Sequence, residues 1–202
     1  MAAQTRRRLL MRPRGFSIVE LMVAVALMAL LLGLAAPSMT TWTRNAQTRA
    51  VSDALQNGLR VAQAEALRRH RQVVFFRTAV PTCNNAVVAS STGAFWAIRT
   101  VAMVAGDPVE TIQCGVLSDV AAGVALNGPT ALCFNGTGRQ TANATPGIGG
   151  ATCDLALSGT SQFDVSVAAG DRPLRVLVTL GGSVRMCDPA RTLSSAAPDG
   201  CP

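Results

Sequence analysis

The pattern of hydrophobic and polar residues begins with a long apolar run. Residues 16–36 contain Glu20 as their only charged residue. At about 1.5 Å per helical residue, this run is about 31 Å long and matches a bilayer core. It predicts a transmembrane N-terminal half of a helix over residues 16–37, preceded by a short segment over residues 1–15.

A second pattern, typical of an amphipathic helix, follows over residues 38–71. Its apolar positions recur at steps of three and four, which places them on one helical face. These positions are Val51, Leu55, Leu59, Ala62 and Ala66. We expect a sheet to cover that face. Because proline removes a helical hydrogen bond and clashes with the preceding turn, Pro37 predicts a helix kink or local melting between the two halves.

Beyond the helix, the pattern changes to short β-rich runs separated by Gly, Pro, Asn and Ser. The predicted strands are Val73–Arg77, Phe95–Thr100, Val109–Gln113, Ala131–Phe134, Phe163–Val167, Leu174–Leu180 and Ser183–Cys187. Gly181 and Gly182 predict a hairpin turn between the last two strands. Residues 135–152 read as a long surface loop. The expected fold class is therefore α+β, with a long kinked N-terminal helix packed on antiparallel strands and one β-rich region over residues 72–202.

Charge is concentrated at the start of the chain. The chain has 18 basic residues, all arginine, and 11 acidic residues, for a net charge of +7. Five arginines and no acid lie in residues 1–15, which leaves 13 arginines against 11 acids, or +2. Arginines beside an apolar span stay on the cytoplasmic side, so we expect the β-rich region to be extracytoplasmic.

Cysteine usage agrees with an oxidising compartment. All six cysteines follow the apolar run, and outside the cytoplasm an even number favours disulfides. Six cysteines allow 15 pairings, and the sequence does not choose among them. We expect Cys187 to pair with Cys201, because the short terminal segment has too few apolar residues to be fixed by packing. The other pairs expected from sequence proximity are Cys83 with Cys114 and Cys133 with Cys153.

The junction at Gly15 and Phe16, followed by Glu20, resembles the processing site of type IV prepilins and type II secretion pseudopilins. The resemblance implies that residues 1–15 are a leader, that a prepilin peptidase cuts after Gly15, and that the new amino group of Phe16 is methylated. Glu20 becomes the fifth residue of the mature chain. A glutamate one turn from the terminus can pair with the ammonium group of a neighbouring subunit in a low-dielectric core. The alternative is a plain signal anchor that contains a glutamate.

Three further patches resemble the FimT and GspH group of minor pilins. They are residues 64–76, 134–139 and 185–189. The resemblance implies a pilin-like fold and a low-abundance subunit in type IV pilus biogenesis, or alternatively a GspH-type pseudopilin of type II secretion. The implied partners are other major and minor pilins or pseudopilins, the prepilin peptidase and the inner-membrane assembly platform. The resemblance also implies a single-pass inner-membrane protein with a periplasmic C-terminal domain, which is finally incorporated into a pilus or pseudopilus.

A DNA-binding subunit for DNA uptake is the third reading. FimT-type members with that role tend to carry a Gly-Arg-x-Arg motif, but here Gly182 is followed by Ser183, so the first arginine is missing. From Thr78 onward, six arginines meet eight acids, so the β-rich region is not a basic surface. Arg185 and Arg191 are the candidate DNA contacts.

Catalysis is not expected. His70, the single histidine, has no evident cysteine or acid constellation, and with the wide cysteine spacings it argues against a zinc site. The turn at residues 135–139 lacks the Gly-Lys-Ser/Thr ending of a phosphate-binding loop. The sequence shows no cofactor signature, and the expected role is assembly.

Overall fold

The structure is a computed structural model that describes residues 15–117 and 123–202, with the backbone alone at residues 34–38. The predicted leader, except for Gly15, lies outside the described residues. The chain divides into two compact units, Met1–Thr40 and Thr41–Pro202.

The helix α1 (Ile18–Arg69) contributes to both units. Its first turn is closed by the Leu21 amide, which donates to the Ser17 carbonyl at 3.1 Å. Ser17 and Glu20 have the spacing of a capping box, and an acid in the first turn also interacts favourably with the helix dipole. The backbone is helical at Pro37, so the predicted local melting is absent there, while the kink stays a prediction.

In contrast to the predicted span over residues 16–37, no helix in the described part of the chain is both long and apolar enough to cross a membrane.

The second unit contains ten strands in two five-stranded sheets. The first sheet has the order β3-β2-β1-β5-β6 and consists of β1 (Val73–Thr78), β2 (Phe95–Thr100), β3 (Thr111–Val116), β5 (Ala131–Phe134) and β6 (Gln140–Thr141). The second has the order β10-β9-β8-β7-β4 and consists of β4 (Val124–Asn127), β7 (Thr160–Val167), β8 (Leu174–Thr179), β9 (Val184–Thr192) and β10 (Gly200–Cys201). Pairing is antiparallel except between β9 and the two-residue β10, which is parallel.

The main core lies between α1 and the two sheets. The five helix residues predicted to face a sheet are all buried there. They pack with Phe75, Trp96 and Phe134 of the first sheet and with Phe163 and Val176 of the second. The predicted amphipathic helix packed on antiparallel strands is confirmed.

A second apolar cluster covers the opposite face of the first sheet. Val74 and Phe76 of β1 pack there against Val87, from the connection between β1 and β2, and Ile148, from the connection between β6 and β7. Because β1 is buried on both faces, all six of its residues are buried.

Gln140 joins the two sheets. Its side-chain amide donates to the Val178 carbonyl of β8 at 2.7 Å and accepts from the Ser161 hydroxyl of β7 at 2.9 Å. Its backbone amide also donates to the Leu180 carbonyl at 3.0 Å. These hydrogen bonds hold β6, the edge strand of the first sheet, against β7 and β8 of the second sheet.

The seven predicted strands all exist, two with the predicted bounds and five with shifted ends, and three short strands were not predicted. The predicted strand Val109–Gln113 is found at Thr111–Val116, and the helix ends at Arg69 rather than residue 71. The predicted loop over residues 135–152 contains β6 and a bridge between Asn143 and Cys153. The missed strands β6 and β10 have two residues each, too few for alternation to be detected, and the missed β4 has four.

The three disulfides join Cys83 to Cys114, Cys133 to Cys153 and Cys187 to Cys201. These are the three expected pairs, two from sequence proximity and Cys187 with Cys201 from the terminal segment. All six cysteines lie among the described residues, and all are paired.

Candidate functional site

The predicted processing junction lies directly before the helix. Gly15, Phe16 and Ser17 are outside the helical assignment, and Phe16 is 83% exposed. A peptide bond outside a hydrogen-bonded helix can enter an extended protease cleft. The geometry is therefore compatible with cleavage between Gly15 and Phe16.

Glu20 lies one helical turn after Phe16. Its side chain is exposed in the first turn of α1, and the ion pairs among the described residues do not include it. Four residues correspond to about 6 Å along a helix, so a cation bound near Glu20 would lie close to the amino end. Its carboxylate is thus placed to meet a positive group from another molecule.

The apolar side chains of the N-terminal unit are exposed around the helix. Between residues 18 and 32 they are Ile18, Val19, Leu21, Met22, Val23, Val25, Leu27, Met28, Leu30, Leu31 and Leu32. A contiguous apolar surface of this kind indicates contact with lipid or with another protein. It surrounds Glu20, so any pairing of that carboxylate would occur in a low-dielectric setting.

The structure places Arg185 against the end of its own chain. Its guanidinium donates to the carbonyls of Pro198 and Gly200 at 3.1 and 3.0 Å. The disulfide between Cys187 and Cys201 fastens the same segment. Arg185 therefore has an intramolecular role in holding β10 beside β9.

Arg191 is held by two acids of the same region. Its guanidinium lies 3.2 Å from the Asp199 carboxylate and 3.8 Å from that of Asp188. Because these carboxylates offset its charge, Arg191 would have to give up both partners to neutralise a phosphate. The two candidate DNA contacts both lie on β9, and both are bound to the terminal segment.

Two buried arginines were not singled out by sequence reasoning. Arg77 and Arg99 are 3% and 4% exposed and lie on opposite faces of the first sheet. Burial lowers the pKa of both guanidinium groups. The sequence signal that could have identified them is their place directly after consecutive apolar residues in a strand that is buried on both faces.

The two terminal nitrogens of Arg99 are hydrogen-bonded, whereas its Nε is buried without a partner among the described residues. Arg99 donates to the carbonyls of Asn85 and Gly147 at 2.6 Å each, and its guanidinium lies over the Phe76 ring at 5.8 Å from the centroid. These contacts tie the two long loops to the outer face of the first sheet. Arg77 has no comparable set of contacts.

The part of the chain that the structure describes contains no cluster of three or more His, Cys, Asp or Glu side chains able to hold a metal ion. His70 follows the helix end in a left-handed backbone conformation, with φ of 49°. The Asn135 side chain accepts from the Thr137 and Arg139 amides, so residues 135–139 form a turn as predicted.

Comparison with known proteins identifies one motif and a partial likeness in fold. Residues 10–36 match the prokaryotic N-terminal methylation motif. No curated protein sequence matches the chain. The type IV minor pilin FimU of Pseudomonas aeruginosa PAO1 is 14% identical with a TM-score of 0.46, over 73% of this chain and 96% of that chain. The minor pseudopilin EpsH from the type 2 secretion system of Vibrio cholerae is 11% identical with a TM-score of 0.45, over 72% and 99%.

Proposed function

We propose that this chain, which carries the prokaryotic N-terminal methylation motif, is a minor type IV pilin that takes part in pilus biogenesis. The observation that carries the proposal is the match over residues 10–36, with Gly15, Phe16 and Glu20 at the start of an exposed apolar helix. The motif implies a membrane-anchored N-terminus. The proposed role is structural assembly rather than turnover of a substrate.

Processing prepares the helix for assembly. In the proposed sequence of events, a prepilin peptidase cleaves between Gly15 and Phe16 and methylates the new amino group. The leader arginines stay on the cytoplasmic side, and the β-rich region is extracytoplasmic. The mature chain then begins with a cationic amino group four residues before Glu20.

Assembly transfers the exposed apolar helix from lipid to a bundle of pilin helices. Lipid is as apolar as the side chains, so apolar contacts alone do little to fix how far one helix is shifted along its neighbour. The carboxylate of Glu20 supplies register by pairing with the amino group of a neighbouring Phe16. In a low-dielectric bundle, a paired charge is strongly preferred over an unpaired one.

The test compares Glu20→Ala and Glu20→Gln with wild type in a deletion strain of the source organism. We expect both variants to insert and be processed normally, because neither adds a charge to the helix. We expect at least a tenfold loss of the subunit from sheared filaments, measured by immunoblot against the membrane fraction. The matched control is Asp53→Asn, since Asp53 is an exposed helix acid with only a long pair to Arg49 at 4.0 Å.

Normal incorporation of Glu20→Ala would contradict the register mechanism. The number of surface pili, counted by electron microscopy, distinguishes a role in the pilus from a role in type II secretion. Loss of pili on deletion, restored by wild type, supports the pilus role. Normal pili with loss of secreted proteins from the medium would instead favour a pseudopilin of type II secretion.

DNA binding is not favoured by a specific observation. Arg185 and Arg191 are bound to the terminal segment, and the region from Thr78 onward carries more acids than arginines. Binding that depends on a few cations is weak and falls steeply with salt.

A further inference from the structure

Arg77 is a buried cation whose position is fixed by its strand. It lies on the same face of β1 as Val73 and Phe75, which belong to the main core. Its amide donates to the Thr130 carbonyl at 2.9 Å, and its carbonyl accepts from the Ser90 amide at 2.8 Å. The side chain therefore starts from a rigid central strand and points into the space between the sheets.

The guanidinium of Arg77 has no protein partner among the described residues. Its Nε is buried without a hydrogen bond, as are those of Arg71 and Arg99. Unlike those two arginines, Arg77 has no other side-chain hydrogen bond or ion pair among the described residues. Arg99, which is equally buried, is held by two backbone carbonyls and an aromatic ring. Burial alone thus does not explain why Arg77 lacks contacts.

An arginine in this position has few ways to relieve the cost of burial. Its pKa is lowered by burial, but a guanidinium remains protonated in proteins. An uncompensated buried charge is strongly unfavourable, so buried charges are normally paired. The missing element is an anion that the described residues do not provide.

A pocket of about 460 Å³ lies beside this guanidinium. Its walls include the apolar side chains of Val51, Leu117 and Leu126, together with the polar residues Thr92 and Asn127. Val51 comes from α1 and Leu126 from β4, so the pocket lies where the helix, the first sheet and the edge of the second sheet meet. The pocket is large enough to admit a small organic group.

We propose that this pocket binds a carboxylate, held by the Arg77 guanidinium. The planar fork of arginine matches the two oxygens of a carboxylate, and such charge-assisted pairs are short and strong. The described lining contains Arg77 as its single charged residue, which suits a monoanion next to apolar walls better than a doubly charged phosphate. The carboxylate comes either from a free organic acid or from an Asp or Glu side chain of another polypeptide.

The test observes the Arg77 Nε–H resonance in the ¹⁵N-labelled full chain in detergent, assigned by its loss in Arg77→Lys. Sodium acetate represents a free acid, and N-acetylaspartate α-amide represents a side chain. Each is titrated against sodium chloride at matched ionic strength. We expect a saturable shift of the Arg77 signal and a higher Tm with a carboxylate, but not with chloride. Arg139, which is exposed, supplies the control resonance.

Two variants separate binding from folding. Arg77→Met removes the buried charge, so its Tm without ligand should equal or exceed that of wild type, and carboxylate should no longer raise it. Arg77→Lys keeps the charge but loses the planar fork. The carboxylate concentration that gives half of the maximal Tm increase should therefore rise at least tenfold. Tighter binding of acetate indicates a free acid as the source, and tighter binding of the aspartate derivative indicates a side chain.

Asp119, which lies outside the described residues, supplies the decisive control because it follows Leu117 closely in sequence. Saturation in wild type supports the proposal. Saturation only in Asp119→Asn would overturn it, because the chain's own carboxylate would then occupy the pocket. Absence of saturation in both proteins would also overturn it. The pilin role is tested through Glu20 and filaments, so the two proposals fail separately.

Discussion

Single arginines in this chain differ in function according to their partners. Arg99 joins two loops through backbone carbonyls, and Arg185 holds the chain terminus. Arg77 faces a pocket without a side-chain partner among the described residues. All three residues are arginines, and the residues next to each of them in the sequence are apolar or of mixed polarity. Chemistry at this scale is therefore decided by which acceptors the fold brings within hydrogen-bond distance.

Gly182 illustrates a residue that the hairpin requires. Its φ is +90°, and a Cβ there would overlap the carbonyl oxygen of Gly138. We predict that Gly182→Ala lowers the free energy of unfolding by about 1–3 kcal/mol, because it combines backbone strain with a clash. The measurement is denaturant unfolding of the full chain in detergent.

Gly181→Ala is the matched control for this prediction. A Cβ at Gly181 would have Thr179 Oγ1 as its nearest neighbour, at 3.8 Å, an ordinary contact. We expect a change within about 0.5 kcal/mol. Equal destabilisation by the two substitutions would show that the left-handed conformation and close approach at Gly182 do not matter.

At the scale of elements, the helix and the first sheet fit closely. Gly58 lies on the buried side of α1, where an added Cβ would be 2.9 Å from Phe75 and 3.1 Å from Trp96. These two aromatic rings are themselves stacked, with centroids 5.8 Å apart. The glycine allows the helix backbone to approach two large side chains of β1 and β2.

We predict that Gly58→Ala is destabilising despite alanine's higher helix propensity. The propensity gain is about 1 kcal/mol, whereas overpacking a rigid core costs about 1–3 kcal/mol. Thermal unfolding should therefore give a lower Tm than wild type. Exposed Asn57 is the control, since Asn57→Ala gains propensity without a clash and should raise Tm slightly. A Tm increase for Gly58→Ala would mean that the aromatic pair shifts easily.

At the scale of the whole molecule, disulfides connect the regular elements with loops and with the chain end. Cys133 of β5 is joined to Cys153 in the following connection, within the cluster on the outer face of the first sheet. Cys187 of β9 is joined to Cys201 of β10 and belongs to a separate small cluster. The two links therefore restrain different parts of the molecule.

We predict different outcomes when each link is removed. The double variant Cys133→Ala/Cys153→Ala should lose about 2–4 kcal/mol of global stability, measured by denaturant unfolding. The double variant Cys187→Ala/Cys201→Ala should mainly release the C-terminal segment, detected as earlier proteolysis there with a smaller change in Tm. Equal global effects would contradict this division of roles. Before reduction, the wild-type chain should contain no thiol reactive to maleimide.

The sequence by itself determined the features that depend on local pattern. The helix face from Val51 to Ala66 and seven of the ten strands follow from hydrophobic periodicity and β-rich composition, and the hairpin follows from Gly181 and Gly182. The methylation motif at Gly15, Phe16 and Glu20 is also a local signal. Disulfide pairs close in sequence were expected because short connections bring them together.

The tertiary structure decided the features that depend on distant partners. The short strands β4, β6 and β10 exist because neighbouring strands supply their hydrogen bonds, not because of their own pattern. For β10, the terminal disulfide also holds the strand beside β9. The separation of strands into two sheets, the link through Gln140 and the burial of Arg77 depend on contacts between residues far apart in the chain. Hydrophobic periodicity specifies which face is buried, but the identity of the opposing group is set only when the chain is folded.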